Sequence, residues 1–90
     1  MQLTQQEIAL IKRIIGGQHE VYLFGSRAKD QGQTFSDVDL CFKSDIDEPT
    51  LATLKVAFEE SNLPYMVDLS RYNDLPPTLK LKVDEEGIRI

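Results

Sequence analysis

Asp37-Val38-Asp39-Leu40-Cys41-Phe42 alternates between two kinds of residue at a period of two. That period is the mark of a β-strand, so Val38, Leu40 and Phe42 share one face and Asp37, Asp39 and Cys41 share the other. The first face belongs in a core. The second carries two carboxylates whose Cα atoms stand roughly 6.5–7 Å apart along the strand. Aspartate is depleted in strands, and two on one face is an odd choice for a chain of 90 residues.

Upstream, Glu20-Val21-Tyr22-Leu23-Phe24 is a β-rich run that predicts a strand. Gly25-Ser26-Arg27-Ala28-Lys29 leaves it and opens a helical turn, and the polar stretch Asp30 to Phe35 reads as a loop. Before the strand, Thr4 with Glu7 forms a capping-box pattern, and Ile8, Ile11, Ile14 and Ile15 follow at helical spacing until Gly16-Gly17. Downstream, Asp47-Glu48-Pro49 starts a second helix with a stripe of Leu51, Leu54, Ala57 and Phe58. Tyr65 to Leu69 predicts a third strand, Pro77 to Glu86 a last helix, and Ile88 to Ile90 an edge strand. The leucines and valine of that last helix, Leu79, Leu81 and Val83, alternate in a way that fits a helix poorly, which suggests that some of them face a partner.

The order α-β-turn-β-α-β-α, without repeat or linker, argues for one α/β domain over residues 1–90, a sheet covered by helices. No apolar run approaches the ~20 residues of a membrane span, and the start of the chain lacks the pattern of a secretory signal. A lone cysteine, Cys41, suits a reducing cytoplasm. The formal charge of −5 argues against tight binding of nucleic acid by backbone neutralisation and is compatible with a site that gathers divalent cations.

A third carboxylate, Asp68, lies on an otherwise apolar run. If its strand lies beside the Asp37–Phe42 strand, roughly 4.8 Å away, three like charges crowd together, and a hard cation such as magnesium relieves their repulsion. The bland reading stands beside this one: Asp-x-Asp is common by chance, and Asp37 after Ser36 could merely cap a turn. Phe24-Gly25-Ser26-Arg27 carries a second signal. A strand that ends in Gly-Ser before a helical turn offers backbone N–H groups and a hydroxyl to an anion, although Gly-Ser is also a common turn.

Together these residues resemble the nucleotidyltransferase superfamily that includes DNA polymerase β, and in particular its minimal nucleotidyltransferase (MNT) domains. The likeness lies in Gly25-Ser26, ten intervening residues, then Asp37-Val38-Asp39, with Val67-Asp68-Leu69 in the place of the family's third carboxylate. It covers almost the whole chain. The resemblance implies a mixed, mostly antiparallel sheet with helices packed on one side. It implies transfer of a nucleoside monophosphate, AMP from ATP, to a hydroxyl. Asp37, Asp39 and Asp68 are then the catalytic and metal-binding carboxylates for two Mg2+ ions, with Mn2+ as a substitute. Gly25, Ser26 and Arg27 are the nucleotide-binding residues, Arg27 being equally able to pair with a site aspartate. The MNT family also implies a partner, a helical HEPN protein whose tyrosine is the acceptor and for which the MNT chain acts as antitoxin. A binding module that neutralises its partner by contact is the rival expectation. His19, beside a glycine turn, is expected to be exposed, Cys41 to be a small buried hydrophobe, and Tyr22, Tyr65 and Tyr72 to be packing residues.

Overall fold

A computed structural model describes residues 3–25 and 38–90. Helix α1, Gln5–Ile15, starts on the capping box: the Thr4 side chain accepts from the Glu7 N–H, and the Glu7 carboxylate accepts from the Thr4 N–H at 2.8 Å. It stops at Gly16, whose φ of 82° is cheap only for glycine. Strand β1, Val21–Phe24, and strand β2, Val38–Phe42, are followed by helix α2, Glu48–Glu59. Asp47 caps α2 by accepting from the Thr50 N–H at 2.9 Å, with proline in the first turn. Strand β3, Val67–Arg71, leads through a 3₁₀ turn, Tyr72–Asp74, to helix α3, Pro77–Glu86, and the short strand β4, Ile88–Arg89.

The sheet runs in the order β3-β2-β1-β4. β1 is antiparallel to both β2 and β4, while β2 and β3 are parallel. A parallel pair needs a crossover, and α2 is that crossover. β3 begins two residues later than its sequence predicts, at Val67 rather than Tyr65.

Alternation along the strands sorts the side chains onto two faces. Val21, Leu23, Val38, Leu40, Phe42 and Leu69 pack with Ile11 and Ile15 of α1 and with Leu51, Leu54 and Phe58 of α2 in the main core. His19 is half-buried rather than exposed, because its ring meets Phe42 edge-on with centroids 5.6 Å apart. The expectation that all helices lie on one side does not hold for α3. Val83, 1% exposed, packs with Phe24 and Cys41 on the opposite face, where Tyr22, Tyr72 and Leu75 complete a second small cluster. The reason is chemical. Phe24 and Cys41 leave an apolar half on that face, and it needs cover as much as the first face does.

A polar cluster secures α3 there. Lys43 Nζ lies 4.8 and 4.9 Å from the ring centroids of Tyr22 and Tyr72 and 2.9 Å from Asp84 Oδ1, and the Tyr72 hydroxyl donates to Asp84 Oδ2 at 2.7 Å. The bond from Tyr72, then that from Lys43, holds the Asp84 carboxyl below its ordinary value, while Asp84 raises both partners.

Truncating Val83→Ala is expected to lower unfolding free energy by about 2 kcal/mol in urea titrations, through lost burial and a residual cavity. Asp84→Asn is expected to lower stability at neutral pH. Because the folded carboxyl titrates below its unfolded value near 3.8, wild type holds its advantage above that pH and loses it as pH falls through the lower, folded value. Urea midpoints of the two proteins measured from pH 7 to pH 2 should therefore converge at the acid end.

Candidate active site

The carboxylates of interest sit where three strands are in register. Across the sheet, Phe24 of β1, Asp39 of β2 and Asp68 of β3 are directly opposite one another. Neighbouring strands lie about 4.8 Å apart, and in-register residues point to the same face, so Asp39 and Asp68 stand side by side. Both are on the α3 face, but α3 covers the other half of it, over Cys41 and Phe24. Asp39 is consequently half-buried and Asp68 exposed. That limits the desolvation penalty of holding two like charges together.

Gly25 follows β1 immediately and brings its backbone against Asp39. Its φ is 80°, and a Cβ built there would lie 2.6 Å from Asp39 Oδ2. A side chain here would push that carboxylate aside, and the positive φ sets a second, independent preference for glycine. Ser26, Arg27 and Asp37, the remaining residues singled out by the sequence, lie outside the described residues, as does the Asp30 to Phe35 loop. Among the described residues no three His, Cys, Asp or Glu side chains converge as a metal site, but Asp39 and Asp68 supply an all-oxygen pair of the kind magnesium takes.

Two neighbours of the site have other tasks. Cys41, two residues along from Asp39, is fully buried, and burial pushes its thiol up, which makes it a packing group as expected. Ser70 donates to the Leu40 carbonyl at 3.2 Å, and so closes its own polar group within the sheet. At the opposite ends of β2 and β3, a cleft of about 520 Å³ is lined in part by Lys43 and Arg71. Arg71 pairs with Glu48 and Asp74 and donates to the Ile46 carbonyl. Its cation is neutralised in place, and the cleft is not adjacent to Asp39 or Asp68. The association of Lys43, Tyr72 and Asp84 is not legible in the sequence, since they are brought together from positions 12 to 41 residues apart.

A mixed four-strand sheet thus carries two aspartates in register on β2 and its edge strand β3, with a glycine pressed against one of them. The chain belongs to the Polymerase beta, Nucleotidyltransferase family, which it matches over residues 4–90. It is 38% identical over 74 residues to the probable protein adenylyltransferase MntA of Haemophilus influenzae. That match takes in 77% of this chain and 65% of the Haemophilus protein, so the chain spans just under two thirds of its relative's length. The crystal structure of a toxin–antitoxin with AMP-PNP contains a chain that superposes with a TM-score of 0.71 at 23% identity, over 97% of this chain and 72% of that one. A complex of the tri-AMPylated Shewanella oneidensis HEPN toxin with MNT antitoxin superposes with a TM-score of 0.61 at 22% identity, over 93% of this chain and 66% of that one. Fold likeness thus extends over nearly the whole chain.

Gly25→Ala is expected to displace the Asp39 carboxylate and to cost about 1 kcal/mol or more of stability from the left-handed backbone. Two measurements check this: a lower urea midpoint, and a smaller rise in melting temperature with ATP and magnesium than the rise expected for the wild type.

Proposed function

We propose that this chain is a metal-dependent nucleotidyltransferase that moves AMP from ATP to a tyrosine hydroxyl of a HEPN-family partner toxin, and acts as its antitoxin in the cytoplasm. The observation that carries the reading is the register of Asp39 with Asp68, with Gly25 closed against Asp39, in a chain of the nucleotidyltransferase family. A relative described as a protein adenylyltransferase and a fold neighbour that is an AMPylated toxin complex support the choice of AMP and of a protein acceptor. Residues 1–90 act as one domain in this scheme.

The chemistry follows from the donor set. Two magnesium ions held by Asp37, Asp39 and Asp68 would neutralise charge on the triphosphate and acidify the acceptor hydroxyl. Gly25 offers its backbone to the β- and γ-phosphates, Ser26 donates its hydroxyl, and Arg27 adds a cation, which together fix the α-phosphorus for attack. Asp68, the exposed member of the pair, faces the side from which an acceptor can approach, and it takes the proton of the attacking hydroxyl. The acceptor oxygen bonds to the α-phosphorus as the bond from that phosphorus to the bridging oxygen breaks. Pyrophosphate leaves, and the acceptor keeps the AMP.

Incubation with ATP, magnesium and the HEPN-family partner, followed by intact mass measurement of both chains, tests this directly. The partner is expected to gain one or more AMP groups, and Asp39→Asn, which removes charge with little change of shape, is expected to abolish the gain while the fold persists. A stable complex with unmodified masses would sink the catalytic reading in favour of neutralisation by contact.

A further inference from the structure

Asp39 has different surroundings on its two sides along β2. Cys41, the next residue on the same face, is fully buried in the small cluster with Phe24 and Val83. Phe24 stands directly opposite Asp39 on β1, which makes Cys41 its diagonal neighbour across the strand pair. Diagonal neighbours lie about 7–8 Å apart, within reach of an aromatic ring. Membership of one cluster therefore lays the Phe24 ring over the Cys41 side of Asp39, where Val83 of α3 covers it. Phe24 is 8% exposed and Val83 1%, so that side is filled. On the other side lies Gly25. A Cβ built there would stand 3.7 Å from Asp39 Cβ, 3.5 Å from its Cγ and 2.6 Å from its Oδ2, so the carboxylate leans over the glycine, away from Cys41.

We infer that Phe24 is a positioning residue: its ring, pinned by Val83, is the backstop that holds the Asp39 carboxylate forward over Gly25, where metal and phosphates are to be met. The inference rests on the nucleotidyltransferase reading above. An aspartate side chain turns about two bonds, and an open hollow over Cys41 would let the carboxylate fall back along the sheet. An apolar ring in that hollow removes the arrangement before any ligand arrives, so less freedom is lost when a metal binds. The ring also does this without competing. It offers the carboxylate neither a strong hydrogen bond nor a charge, and so leaves the oxygens to a hard cation, whereas a polar residue in its place would bind them itself. Leucine would keep the cluster apolar, but it is shorter and not planar, and it would not span from β1 to Cys41.

The test titrates magnesium at fixed, saturating ATP with wild type, Phe24→Leu and Ile11→Val. It reads two quantities, the rise in melting temperature and the rate of AMP transfer to the HEPN-family partner. Ile11, fully buried on α1 in the core of the other face, is the control for lost packing alone. Both variants are expected to melt below wild type without ligand. Only Phe24→Leu is expected to need more magnesium, about tenfold more for half of the full melting rise and for half of the maximal rate. Excess magnesium should return its rate to near that of wild type, because the carboxylate itself is still present. Phe24→Met, longer and more pliable, is the second variant should Phe24→Leu fail to fold, with a smaller shift in the same direction. Wild-type magnesium dependence in the Phe24 variant would overturn the backstop and leave the enzymatic reading intact, as would equal shifts in that variant and Ile11→Val. A wild type that melts higher with ATP and magnesium yet transfers nothing would overturn the enzymatic reading, and the melting curves would still decide the role of Phe24. A wild type whose melting does not respond at all would overturn both.

Discussion

β2 has to satisfy two environments at once, and everything else is arranged around how it does so. Val38, Leu40 and Phe42 are each at most 1% exposed, while Asp39 between them points away from that core. The strict period of two makes these demands inseparable. A slip of one residue would drive a carboxylate into the main core and expose three large apolar side chains, at a cost of several kcal/mol. Because β2 lies between β1 and β3, fixing its register also fixes which residues flank Asp39: Phe24 on one side, with Gly25 just beyond, and Asp68 on the other.

The second face of the sheet shows how acidic and apolar surface share one layer. α3 seals the half that holds Phe24 and Cys41, and the Lys43, Tyr72 and Asp84 cluster holds that helix in place. The half with Asp39 and Asp68 is left accessible, so their charges stay hydrated, and the energetic penalty of a fully buried like-charged pair is not incurred. Division of the face thus completes a core too small to be finished by one layer of helices while Asp39 stays half-buried and Asp68 exposed.

Much of this was legible in the sequence because local chemistry specified it. Thr4 with Glu7, Asp47 with Pro49, and the run from Pro77 to Glu86 are helix signals that need no tertiary context, and the alternation from Val38 to Phe42 is equally local. The spacing from Gly25 to Asp39 and the isolated Asp68 likewise singled out residues that the sheet brings into one row. Strand order and the side taken by α3 were not legible. Leu79, Leu81 and Val83 form no helical stripe, and of the three only Val83 is buried, while Leu81 is 55% exposed. A single buried anchor leaves no periodic trace. The late start of β3 has a similar cause, since Tyr65 and Met66 have strand-like composition but pack and protrude at its mouth.

The contact of Gly25 with Asp39 ties together two positions that are fourteen residues apart in the chain yet share one small volume. Sequence drift cannot treat them separately. While the carboxylate keeps this position, a Cβ at 25 meets its oxygen, and without the carboxylate the preference of the backbone for glycine is what remains. A lineage that abandoned the acidic pair would therefore lose one of the two reasons for glycine, and a filled position 25 would push aside the carboxylate of an aspartate returning at 39. The two positions are coupled through one oxygen and one missing Cβ, so that a change at either alters what the other can hold.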